Sequence, residues 1–267
     1  MPKRMFPLSR PASAGAVDLP LIDFHTHILP EMDDGSRSLE ESLKMLKLCL
    51  ESGVTSVVLT PHFYADREDP EQFLHRRSNA AERLRAVLEP SFSPALYLGA
   101  EVSYYEGIGN SREVRRLCIE GTFSLLLEMP FYPWQEEQYK DVALLTRRGF
   151  SVVLAHVERY PDFRHRTVRE RLREAGAVFQ SNASFFLARD TSHKAMRSFR
   201  SGEIDLLASD CHRCDYRSPD LADAAQHLIL RGEKSRLKEA LQRASMLLMG
   251  AKAMILSKTV EPSERDT

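Results

Sequence analysis

Five of the chain's nine histidines, His25, His27, His62, His156 and His212, fall at the ends of short apolar runs, and Glu101, Glu128 and Asp210 fall at the ends of the same kind of run. Imidazoles and carboxylates gathered without thiolates are donors for Mn2+, Fe2+ or Zn2+. His25 and His27 are two residues apart, so on a strand both side chains point to one side; Asp210 and His212 repeat that spacing. A single histidine at a strand end is usually structural. The recurrence of ionisable residues on six of seven runs is what turns the set into a metal-ligand arrangement. His75, His165, His193 and His227 lie in helical or loop segments without such partners and read as solvated or packed side chains.

Residues this far apart meet only if the runs lie side by side. The runs are Leu19–His27, Thr55–His62, Ala95–Ser103, Phe123–Met129, Ser151–Val157, Ala177–Asn182 and Ile204–His212, rich in Val, Ile and Leu. Amphipathic segments separate most of them, at Leu39–Ser52, Pro70–Glu89, Gln135–Arg148, Thr167–Ala175, Ser192–Ser201, Pro219–Arg231 and Lys234–Leu256. This alternation is the pattern of βα units around a parallel sheet. Ser38 followed by Glu41 is a capping-box signature, and Gly53, Gly149, Gly176 and Gly202 stand where helices stop. The expected fold is α/β, a distorted seven-strand (β/α)7 TIM-like barrel in one domain over residues 19–256, with a flexible leader (1–18) and a polar tail (257–267). An open doubly wound sheet is the alternative. In a barrel the C-terminal strand ends share one face, which would gather the donors.

Thirty-seven Lys+Arg against 38 Asp+Glu give a net charge of -1, so no global basic field favours nucleic acid or an anionic membrane. No apolar stretch near the start suits a signal peptide or a membrane span, and the protein reads as cytoplasmic without membrane insertion. Cys49, Cys118, Cys211 and Cys214 make no disulfide framework and read as reduced thiols.

The strings Asp-Phe-His25-Thr-His27-Ile-Leu-Pro, Asp33-Asp34-Gly, Thr-Pro-His62-Phe, Gly-Ala-Glu101, Leu-Leu-Glu128-Met-Pro, Ala-His156-Val-Glu-Arg159-Tyr and Ser-Asp210-Cys-His212 occur in this order. From about Leu21 to about Ala225 the chain resembles the PHP (polymerase and histidinol phosphatase) superfamily, specifically its bacterial capsule-type metal-dependent tyrosine-protein phosphatases. Glu31-Met32, Val157 and Cys211 depart from the usual pattern and remove no presumed ligand. The resemblance implies two or three divalent ions, with Mn2+ favoured over Fe2+ or Zn2+. One ion would lie among His25, His27, Glu101 and Asp210, a second among Glu101, Glu128 and His156, and a third near Asp34, His62 and His212. Spacing alone does not separate Asp34 from Asp33. Clustered cations would lower the pKa of a water to give hydroxide near neutral pH and offset charge on the phosphoryl oxygens.

Arg159, three residues after His156, and Arg217, five after His212, are placed to reach over such a centre. Spacing alone leaves both as surface ion-pair partners, whereas the resemblance makes them phosphate ligands, a job suited to a planar guanidinium. Phe131, Tyr132, Trp134 and Tyr139 form either a wall for an aromatic substrate or ordinary packing. The implied function is hydrolysis of phosphotyrosine in proteins, with a bacterial tyrosine kinase as partner and capsule or exopolysaccharide synthesis as the process. A small-molecule phosphatase of the histidinol-phosphatase type and a non-catalytic metal-binding regulator are the alternatives; the complete donor set argues against the second.

Cys211 and Arg217 also match the Cys-x5-Arg spacing of thiol-dependent tyrosine phosphatases. That loop cradles phosphate with backbone N–H groups and favours glycine, and His212-Arg213-Cys214-Asp215-Tyr216 has none. Strand alternation would also turn Cys211 away from a face shared by Asp210 and His212. A Cys-x-x-Cys pair, Cys211 and Cys214, lacks the second pair of a structural zinc site.

Overall fold

The β-branched and leucine-rich runs form parallel strands, buried on both faces as such sequences require. The computed structural model describes residues 19–89, 92 and 94–258. The expected leader (1–18) lies outside the described residues, as do residues 259–267 of the expected tail. The strands are β1 (Leu21–Thr26), β2 (Val54–Leu59), β3 (His62–Phe63), β4 (Ala95–Leu98), β5 (Glu101–Ser103), β6 (Ser124–Glu128), β7 (Ser151–Leu154), β8 (Val178–Asn182) and β9 (Leu206–Ala208). Helices α1 (Leu39–Glu51), α2 (Pro70–Arg85), α3 (Val114–Leu117), α4 (Glu136–Arg147), α5 (Arg166–Glu174), α6 (Ala183–Leu187), α7 (Ser192–Arg200), α8 (Leu221–Leu230) and α9 (Lys234–Lys258) fall between and after them.

Two of the expected runs each contribute two strands. Pro61 has no N–H to donate, and the second run divides there into β2 and β3. Gly99-Ala100 likewise divides the third run into β4 and β5, where a Cβ on Gly99 would meet Thr60 Cγ2 at 3.1 Å. The strands pair in parallel in the orders β1-β2-β4 and β3-β5-β6-β7-β8-β9. The sheet curls, so that its last strand run meets its first: Asp210 N donates to His25 O (2.9 Å) and His27 N to Cys211 O (2.8 Å). The helix starts follow the expected chemistry. Ser38 Oγ accepts from Glu41 N at α1, and the Glu41 carboxylate reaches back to Arg37 N.

An apolar cluster of Ile22, Phe24, Val58, Leu126, Val153, Leu206 and Ala208 lies beside Ala244 and Leu247 of α9. Ser124, the first residue of β6, donates to Leu247 O, so α9 crosses the starts of the strands and leaves their C-terminal ends open. A second apolar cluster packs α1, α2, α4 and α5 against the outer face of the sheet, and a third gathers α6, α7, α8 and α9. No described helix is long and apolar enough to cross a membrane.

Candidate metal centre

A bulge in β1 aims the first two histidines. Asp23 pairs with Val57 and Thr26 with Leu59, three residues against two, so one extra residue sits in β1. Asp23 turns toward Ser209 N (2.9 Å) and the thiols of Cys49 and Cys211, while His25 and His27 turn to the opposite face. The bulge thus removes Asp23 from the face it would share with both histidines on a regular strand.

Four donor atoms converge there. His25 Nε2 lies 3.1 Å from His27 Nε2, 3.1 Å from Glu101 Oε2 and 3.4 Å from Asp210 Oδ1. His27 Nε2 lies 3.2 Å from the same Glu101 oxygen and 3.4 Å from Asp210 Oδ1. Ligands of one tetrahedral ion at bond lengths of ~2.0–2.1 Å stand about 3.3 Å apart, so these separations fit a shared cation. Glu101 Oε2 also meets His62 Nδ1 at 2.9 Å, and Glu101 Oε1 meets His156 Nε2 at 2.9 Å, with Glu128 Oε1 3.4 Å from that nitrogen. Asp34 Oδ1 lies 3.4 Å from His212 Nε2 and 3.6 Å from His62 Nε2. All nine candidate ligands therefore meet at one place, with Glu101 at its middle. Three groups able to hold a metal stand out: His27, Asp34, His62 and His212; His25, His27 and Asp210; and His62, Glu101 and Glu128. His62 takes the place in the last where the resemblance puts His156, which lies against the same two carboxylates.

Hydrogen bonds behind the imidazoles fix which nitrogen faces the centre. Nδ1 of His27 donates to Asp33 (2.8 Å), Nδ1 of His25 to Gln180 Oε1 (3.2 Å), and Nδ1 of His212 to the backbone oxygen of Asp210 (3.0 Å). Each bond leaves Nε2 turned inward toward the other donors, the orientation a metal ligand needs. Asp33 also accepts from His62 N and Gly35 N, so the two adjacent aspartates divide their work: Asp33 orients and Asp34 faces the nitrogens of His62 and His212. Gln180 Oε1 accepts from His156 N as well, and its amide donates to Asn182, whose own amide donates to Asp210 Oδ2 (2.7 Å). Gln180 and Asn182 were missed in the sequence because their run ends in no ionisable residue; the available signal was two amides with strand parity at that run's end.

Four candidate ligands, His27, His156, Asp210 and His212, sit past the strands that were expected to carry them, two of them with strained backbones. His156 follows β7 and Asp210 follows β9, with φ of 31° and 52°, in the left-handed region that non-glycine residues avoid. Such strain concentrates at functional sites. Cys211 is buried in the outer core, away from the donors, and burial pushes its thiol far up. The four cysteines are free.

Without a metal, the negative charge of the carboxylates favours the protonated forms of His27, His62 and His156, whereas burial lowers the pKa of His212. Burial opposes charging His27, but the Asp33 carboxylate and bonds to Asp210 and Glu101 outweigh it and raise its pKa well above the usual value. Against the same burial, Glu101 and Glu128 raise His156 to about 9. Glu101 and Asp210, although buried, are held well below the carboxylate range, by His25 and His62 and by His25 and His27 respectively.

Around the rim, Arg217 donates to Asp210 Oδ2 and lies 3.1 Å from His212 Nε2. Arg159 is exposed, makes no ion pair among the described residues, and lies 5.1 Å from the Phe131 ring centroid, which in turn stacks on His156 at 6.1 Å. A cavity of about 430 Å³ lies between the two arginines, walled also by Asn182, Phe185 and Tyr216. The aromatic segment divides: Phe131 and Tyr132 are exposed, whereas Trp134 and Tyr139 pack under the loop.

The family model for capsular polysaccharide synthesis, CpsB/CapC, matches residues 21–249. The chain belongs to the CpsB/CapC family. Tyrosine-protein phosphatase CpsB of Streptococcus agalactiae serotype III is 26% identical over 217 residues, covering 76% of this chain and 88% of that protein. Tyrosine-protein phosphatase YwqE of Bacillus subtilis is 29% identical over 208 residues, 74% of this chain and 80% of that protein. A structure from the crystallographic study of B. subtilis YwqE and Streptococcus pneumoniae CpsB, described as metal-dependent tyrosine phosphatases, superposes with a TM-score of 0.72 at 22% identity, covering 92% of this chain and 100% of its own. The CpsB/CapC fold thus places the motif residues on one face of a curled parallel sheet.

Proposed function

We propose that this CpsB/CapC-family chain is a metal-dependent tyrosine-protein phosphatase that hydrolyses phosphotyrosine in proteins and serves capsular polysaccharide synthesis. The observation that carries the reading is the convergence of His25, His27, Glu101 and Asp210 at separations of 3.1–3.4 Å in a member of that family. Within it, His25, His27, Asp34, His62, Glu101, Glu128, His156, Asp210 and His212 hold two or three divalent ions, Mn2+ being our choice over Fe2+ or Zn2+. Bound divalent ions supply Lewis acidity that lowers the pKa of water and offsets charge on the phosphoryl oxygens.

The chain's own residues do the rest. Asp33, Gln180 and the Asp210 carbonyl hold three imidazoles with Nε2 inward. Arg159 and Arg217, on either side of the rim cavity, receive the phosphoryl oxygens. Phe131, held between Arg159 and His156, offers an aromatic face to the phenyl ring of the substrate. Cys211 takes no part. We further assign residues 19–256 to one seven-unit βα barrel, the protein to the cytoplasm, and a bacterial tyrosine kinase to the role of substrate.

The test is turnover of p-nitrophenyl phosphate and of phosphotyrosine and phosphoserine peptides before and after chelation. The expected result is loss of activity in excess chelator, recovery with Mn2+, preference for phosphotyrosine, and near-native activity in Cys211→Ser. Full activity in chelator together with loss in Cys211→Ser overturns the reading.

A further inference from the structure

A second cleft lies beside the one between Arg159 and Arg217. It encloses about 310 Å³, with a floor that includes Phe163 and Phe185 and a rim that includes Arg164, Lys194 and Arg197. Glu158 and Phe185 line both clefts, so the two share a wall.

The ion pairs of this flank single out the rim cations. The four arginines of α5 each have a carboxylate partner: Arg166 with Glu170, Arg169 with Glu203, Arg171 with Glu136 and Arg173 with Asp205. Arg200 of α7 pairs with Glu233. Arg164, Lys194 and Arg197, which face the cleft, pair with no carboxylate among the described residues, although all three are exposed on the same two-helix flank. Of the acidic residues of the cleft, Glu203 pairs with Arg169 at 2.9 Å, whereas Glu158 accepts the Asn182 N–H at 3.0 Å through Oε1 and pairs with no cation among the described residues. Three exposed cations against the one carboxylate of Glu158, over an apolar floor, form a net-positive concave site for an anionic chain with some apolar surface, in a molecule whose net charge is -1.

We infer that this cleft is an anion subsite that holds acidic side chains of the phosphoprotein substrate a few residues from the phosphotyrosine. The inference rests on the phosphatase reading, and it adds the substrate class: phosphotyrosine in an acidic sequence.

The experiment compares the native chain with the triple variant Arg164→Gln, Lys194→Gln, Arg197→Gln, whose changes are all at exposed positions. Two fluorescent phosphotyrosine peptides of equal length are used, one with Asp and one with Asn at the flanking positions. Anisotropy gives the dissociation constants, and p-nitrophenyl phosphate reports the metal centre independently. The native chain is expected to bind the Asp peptide about tenfold more tightly, a preference that shrinks with added salt. In the variant the preference falls to near one while p-nitrophenyl phosphate turnover stays native. Equal binding of both peptides by the native chain, or an undiminished preference in the variant, overturns the subsite. Absence of p-nitrophenyl phosphate turnover in the native chain counts against the phosphatase reading, whereas the peptide preference still decides the subsite.

Discussion

Arg159 and Arg217 carry the same charge at the same rim, but their surroundings give them different consequences on removal. Arg159 touches the site through Phe131 and has no carboxylate partner among the described residues, so Arg159→Ala takes away a cation and leaves the candidate ligands where they were. The expected outcome is a kcat/KM lower by ~10²-fold or more with native metal content, the range for one lost electrostatic stabiliser. Arg217 donates to Asp210 and lies against His212, so Arg217→Ala alters both the phosphate site and a ligand, and should lower metal content as well. Lysine should rescue Arg159 only partly, because a point charge cannot make two parallel hydrogen bonds. Metal analysis beside steady-state kinetics separates the two, and native kcat/KM in Arg159→Ala removes that residue from the phosphate site. Asp34, in a loop, came from the resemblance alone, whereas eight of the nine candidate ligands were legible from their types and their recurrence at run ends. Gln180 and Asn182 were not, because a neutral amide at a strand end has no chemistry of its own; its role exists only through the histidine and aspartate it touches.

Between elements, the centre depends on departures from regular structure. The parity argument placed His25 and His27 on one face, and they are there, but by way of a bulge that no spacing rule announces. The same argument placed Asp210 and His212 together; they do meet, although Asp210 lies past the strand with a left-handed backbone. The runs themselves, and the helix starts and stops, were legible because hydrophobic period and capping chemistry are local. The breaks at Pro61 and Gly99 and the strained turns at His156 and Asp210 depend on neighbours distant in sequence. Gly35 is another such place: a Cβ there would meet His27 O at 2.2 Å and His27 Cβ at 2.5 Å. Both are close to backbone, so Gly35→Ala must displace the loop that carries Asp33 and Asp34. Loss of an orienting partner typically lowers metal affinity ~10–100-fold, and we expect a loss in that range with helix content unchanged by circular dichroism. Native affinity in Gly35→Ala by metal titration would mean that the loop does not position the ligands.

Over the whole molecule, buried groups with raised pKa values lose their stabilisation as pH rises, and they divide by whether they lie among the candidate ligands. Burial pushes Asp23 on β1 up to about 6 and Asp220 at the start of α8 up to about 8, from an ordinary 3.8. Each keeps its proton in the folded chain, so its stabilisation is full below pH 3.8 and is lost as pH rises through those values. In the metal-free chain His156 acts in the same direction: with its pKa raised from 6.5 to about 9, the stability it contributes is present below 6.5 and fades toward 9. On the proposed assignment a divalent ion would replace the proton on His156, whereas the shifts of Asp23 and Asp220 come first from burial and only in smaller part from His25 and Asp210. The gain in melting temperature on adding Mn2+ therefore isolates the metal centre from the rest of the alkaline loss. Metal binding must displace imidazole protons, so affinity rises with pH, and the linked stabilisation, RT ln(1 + [L]/Kd), rises with it by about 1.4 kcal/mol per tenfold in Kd. Paired melts in Mn2+ and in chelator from pH 6 to pH 8.5 should give a gap that widens steadily, and His27→Ala should narrow it. A gap of constant width would show that the ion does not compete with protons at these imidazoles, and would place it elsewhere.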